Sequence, residues 1–153
     1  MSEMCNDKEF RKTLESLDPA QQREVAVMFV AHVLSLSDDN RLDRVVKIAA
    51  DAEASEEELA VALKTAHAVT FDSHARCGAD CHWSDQAGYF VARSAVAAVT
   101  PTAQSRAGGP AWQAAMSARM AHTTSLIDDA SNTQSAHTEC LWQYQSLSDY
   151  LNA

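Results

Sequence analysis

Apolar residues recur at spacings of three and four along almost the whole chain, the signature of α-helices buried on one side. From Lys8 to Leu17 the stripe is Phe10, Leu14 and Leu17; from Ala20 to Ser37 it is Val25, Met28, Phe29, His32, Val33 and Leu36. Between these two helices stands Asp18-Pro19. An aspartate can accept from the exposed amides of a first turn, and proline, which has no N–H, fits that turn without loss. A third helix through Asp39–Ala52 carries Leu42, Val45, Val46 and Ala49, with Arg44 and Lys47 outside.

Ser55 with Glu58 three residues on is a capping-box pattern and opens a fourth helix, with Leu59, Ala62, Leu63, Ala66 and Thr70 inward and a stop at Gly78. A fifth helix from Cys81 or Ser84 ends at Thr100, because Pro101 disfavours helical geometry in the residue before it. The segment 101–110, PTAQSRAGGP, reads as a flexible loop. A sixth helix follows with Trp112, Ala115, Met116, Arg119, Met120, Thr123 and Leu126 on one side, then a seventh from Gln134 to Leu151 with Cys140, Leu141, Tyr144, Leu147 and Leu151. No stretch alternates as a half-buried strand would. The pattern predicts an all-α fold, an antiparallel array or irregular bundle of about seven helices, because short links force neighbours to run opposite ways.

With 153 residues the chain is long enough to close one hydrophobic core, so a single domain is expected. It holds no apolar run of bilayer-spanning length, which predicts a soluble, cytoplasmic protein whose Cys5, Cys77, Cys81 and Cys140 are thiols. The formal net charge is −9, and acidic residues crowd the stretch from Asp38 to Glu58. Phosphate backbones repel such a surface, which argues against nucleic acid and for a basic protein partner. Asp38, Asp39, Asp43, Glu56 and Glu57 are the candidate contacts.

The chemistry-bearing stretch is FDSHARCGADCHW, which packs His74, Cys77, Cys81 and His82 into nine residues. Two thiols and two imidazoles would suit a tetrahedral zinc ion, although the spacing is that of no standard finger. The competing reading makes the cysteines small buried hydrophobes and the histidines hydrogen-bonded groups at a helix corner. Cys81 as a nucleophile would need a base and an oxyanion site, and sequence proximity supplies neither. His32, His67 and His122 read as buried, hydrogen-bonded histidines, and Asp128 and Asp129 as surface or cap residues. Phosphate loops, dinucleotide fingerprints, nucleophile elbows and His-Glu-x-x-His pairs are missing, so nothing in the chain specifies an enzyme.

The run from Ala26 to Val69 resembles the alanine-rich, all-helical immunity proteins of bacterial polymorphic toxin systems, and the likeness extends over roughly residues 25–98. The matching residues are His32, Val33 and Leu34, the Asp39 and Arg41 turn, Val45, Val46 and Ala49, and Ala66, His67 and Ala68. Leu42 stands where that family usually has proline. The resemblance implies a non-catalytic protein that binds and neutralises a cognate toxin, with no cofactor required. The alternative is a metal-binding helical protein built on residues 74–82. Both leave monomer and homo-oligomer open.

Overall fold

A computed structural model describes residue 4 and residues 6–76, 83–127 and 137–153. The described residues form seven helices: α1 Asp7–Glu15, α2 Pro19–Val33, α3 Arg41–Ala50, α4 Glu56–Arg76, α5 Trp83–Val99, α6 Gly109–Ile127 and α7 His137–Leu151. Two 3₁₀ turns, Leu34–Leu36 and Thr102–Gln104, join α2 to α3 and α5 to α6. The protein is an all-α single domain, with no strand among the described residues. No described helix is long and apolar enough to cross a membrane.

Local chemistry sets the helix starts. The Asn6 carboxamide oxygen accepts from the Glu9 amide at 2.9 Å. Asp18 accepts from the Gln21 amide at 2.8 Å, while the Gln21 side chain accepts from the Asp18 amide at 3.1 Å, which closes a full capping box at α2. At α4 the Ser55 hydroxyl oxygen accepts from the Glu58 amide at 3.1 Å. Before α6 the chain turns through Gly108 and Gly109, with φ of +92° and +86°. A side chain at Gly108 would bring its Cβ to 2.3 Å from Cδ1 of Trp112, so glycine is required there.

α5 and α6 pack together, with α2 against both, α4 against α5, α3 against α2, α4 and α5, and α1 and α7 against α6. The centre is built from small side chains: Ala92, Ala95 and Ala98 on α5 and Ala111, Ala114, Ala115, Ala118 and Ala121 on α6 are all buried. Ser94 donates to the Ala114 carbonyl at 2.8 Å across these two helices, a bond that requires close backbones. Larger residues fill the other side. The Phe10 ring lies 5.9 Å from Phe29, 6.2 Å from Trp112 and 5.1 Å from Tyr144, joining α1, α2, α6 and α7.

Three sequence expectations are corrected. The buried face of α6 is the alanine row, about one residue's rotation from the stripe of large apolar residues, and Met120 is 48% exposed. On α7, Leu141 and Leu151 face outward, while Glu139, Gln143 and Ser146 are buried beside Cys140, Tyr144 and Leu147. His32 and His67 lie on exposed positions of their helices. His122 is half-buried, and its Nδ1 is enclosed with no hydrogen-bond partner among the described residues.

Candidate partner-binding surface

The outer face of α4 is the feature a globular core does not explain. Val61, Lys64, Ala68, Phe71 and Ala75 are exposed and follow one another at three- and four-residue steps, so they form one ridge. Val61 is 61% exposed and Phe71 73%. Phe71 is the more telling, because an outward aromatic ring forgoes the burial that usually holds such a residue inside.

Acidic groups stand at both ends of this ridge. Glu56 and Glu57 open α4, where carboxylates also suit the positive end of the helix dipole, and neither has a basic partner among the described residues. At the other end Arg41, the first residue of α3, donates to Asp72 of α4 at 2.8 Å. That bond brings the start of α3, and with it exposed Asp38 and Asp43, alongside the Phe71 end. Glu56 and Asp72 are sixteen residues apart on one helix, which separates them by roughly 24 Å at about 1.5 Å per residue. The five candidate contacts therefore do not form one cluster. They divide into two acidic ends, and between them runs the ridge, apolar except for Lys64.

Asp39 has a different job from the other four. Its carboxylate accepts from the Arg41 amide at 3.0 Å and from the Arg41 guanidinium at 2.7 Å, so it shapes the turn into α3 and is already neutralised. With Asp72 it holds the Arg41 guanidinium firmly protonated, its pKa raised above an already high ordinary value. Of the candidate metal ligands, His74 is exposed near the end of α4, its ring centroid 5.6 Å from that of Tyr89 on α5. Cys77, Cys81 and His82 lie outside the described residues, as do Asp128 and Asp129. Among the described residues no three His, Cys, Asp or Glu side chains gather around a point that could hold a metal ion.

A polar network at α7 escaped the sequence reading. Glu139, only 1% exposed, places its two oxygens 3.0 and 2.9 Å from Nδ1 of His32. The His32 ring stacks on Trp142 with centroids 3.5 Å apart and planes within 4°. One turn further, Gln143 accepts from the Arg119 guanidinium at 2.7 Å and donates to the Ala115 carbonyl at 3.0 Å. Arg119 then reaches Asp7 at 3.0 and 2.9 Å, and the Tyr144 hydroxyl donates to the same carboxylate at 2.6 Å. The Arg119 hydrogen bond, aided by Tyr144, holds the Asp7 carboxyl below the usual range despite partial burial. Burial, with the bond to Asp7, pushes the Tyr144 phenol up. The partners are 24 to 137 positions apart in sequence, so the only signal was polar residues standing at core spacing on α7.

No protein-family model, curated protein or solved structure matches the chain.

Proposed function

We propose that this chain is a non-catalytic acidic binding protein that engages and neutralises a basic protein partner, of the immunity or antagonist type, through the outer face of α4. The observation that carries the reading is Phe71, 73% exposed on a ridge bounded by acidic ends. Interfaces concentrate their energy in a few anchors at the centre, aromatic ones above all, and surround them with polar groups that set orientation and approach rate. Phe71 and Val61 are the anchors, and Asp38, Asp43, Glu56 and Glu57 the polar rim. Charge selects the occupant. A second copy of this chain, laid along α4 in either direction, would bring acidic ends against acidic ends, whereas a basic surface meets complementary charge at both.

The test is made on the purified pair, the partner being the basic protein recovered with this chain from its native cell. Phe71→Ala weakens the complex by about 2 kcal/mol or more, chiefly through faster dissociation. Glu56→Lys with Glu57→Lys slows association and flattens its dependence on salt. A complex indifferent to both changes refutes the assignment of this face.

A further inference from the structure

A second site lies beside the ridge, where α4, α5, the 3₁₀ turn at Thr102–Gln104 and α6 line an open cleft of about 590 Å³. That volume is in the range of small-molecule sites, which run from about 300 to 1,000 Å³. The lining contains no aspartate or glutamate, in a chain that has 21 of them. It does contain Arg93 from α5, Arg106 from the loop before α6 and His67 from α4.

Like exposed Arg44, and unlike four other arginines, these two have no carboxylate or carbonyl partner among the described residues. Arg11, Arg41 and Arg119 are each paired with a carboxylate, and Arg23 donates to the carbonyls of Ala49 and Asp51. Neither the Arg93 nor the Arg106 side chain has an ion pair or hydrogen bond among the described residues; Arg93 lies with its guanidinium carbon 5.8 Å from the centre of the Tyr89 ring. Five N–H donors on each guanidinium are therefore left to water or to a ligand. Leu63, Val96 and Tyr89 contribute apolar surface to the same lining, beside hydroxyl and amide groups such as Thr70 and Gln113.

We infer that this cleft binds a small organic phosphate, its phosphate held between Arg93 and Arg106 with His67 as a third donor, its apolar body against Leu63, Val96 and Tyr89. A carboxylate has two oxygens in one plane and is satisfied by one guanidinium fork. Donors arriving from three separate elements match a tetrahedral group with three terminal oxygens, and two guanidinium charges balance a phosphate dianion. The cleft borders the α4 ridge, with His67 three residues after Lys64 and four before Phe71, but its arginines come from α5 and the loop before α6, so the inference does not depend on the partner-binding role.

The experiment is calorimetric titration of the full chain with phenyl phosphate at fixed ionic strength, with benzoate as the comparison ligand. Phenyl phosphate binds about tenfold or more tightly than benzoate, the margin of one charge-assisted hydrogen bond. Arg93→Gln and Arg106→Gln each lower that affinity about tenfold. Arg44→Gln, an exposed arginine on α3 outside the cleft, leaves affinity unchanged. Helical circular dichroism of each variant establishes that loss of binding is not loss of fold. Absence of binding to the wild-type chain, equal affinity for benzoate, or an equal loss in Arg44→Gln overturns the assignment.

Discussion

Asp7 shows how much one side chain at the first turn of a helix can join. It receives two hydrogen bonds from Arg119 of α6 and one from Tyr144 of α7, so α1 is tied to both helices through a single carboxylate. Asp7→Asn keeps the shape and removes the charge. Because the carboxylate is half exposed, solvent screens the loss to about 1 kcal/mol near neutral pH. The folded-state pKa of Asp7 is depressed, so its stabilisation is complete above the unfolded-state value of about 4 and is lost as pH falls through the folded value. The stability difference between wild type and Asp7→Asn, from urea unfolding, is thus present at neutral pH and shrinks toward zero in strong acid. A difference of constant size at both pH values contradicts a charge-based role. Gln22 works similarly without charge: its side chain accepts from the Ala111 amide at 3.0 Å and donates to the Leu14 carbonyl, holding the start of α6 to the end of α1.

At the scale of the elements, the chain's own punctuation placed most helices correctly. Asp18-Pro19 begins α2, Ser55 begins α4, and Pro101 follows the end of α5, because each acts on backbone groups within a turn of itself. The buried faces of α1, α2 and α3 were also legible, since large apolar residues such as Phe10, Phe29 and Leu42 mark them. α6 was misread for the same reason. Its size signal came from Trp112, Met116 and Met120, whereas the contact with α5 uses alanines because only small residues let two backbones come close enough for the Ser94 bond. Reading α7 needed knowledge of its partners. Glu139 and Gln143 are buried only because His32, Arg119 and the Ala115 carbonyl meet them in space. The alanine row gives a paired prediction. Ala118→Leu overfills a position with no exposed surface and lowers unfolding free energy by about 1–3 kcal/mol. Met120→Ala, two residues away and half exposed, changes it by no more than about 0.5 kcal/mol. Equal effects on denaturant midpoints place the buried face elsewhere.

Across the whole molecule, charge and apolarity are sorted by surface. The Asp38–Glu58 acidity that stood out in the sequence divides between the two ends of α4, and part of it, Asp39, is consumed by Arg41 in building a turn. The sequence pattern already turned Ala62 and Ala66 of α4 inward; what it could not supply was that Val61 and Phe71 stay exposed in the folded chain. The cleft beside the ridge gathers arginines without carboxylates, a local inversion of a chain whose net charge is −9. The proposed function makes α4 the docking face for a basic protein. Its most direct test places a photo-reactive benzoylphenylalanine at position 71, and at position 120 as the exposed control, and irradiates each protein in its native cell. The account predicts a crosslink from position 71 to one basic protein, mapped by mass spectrometry to that protein's surface, and none to it from position 120. Crosslinks from both positions alike, from 71 to a second copy of this chain, or none from 71 would contradict it.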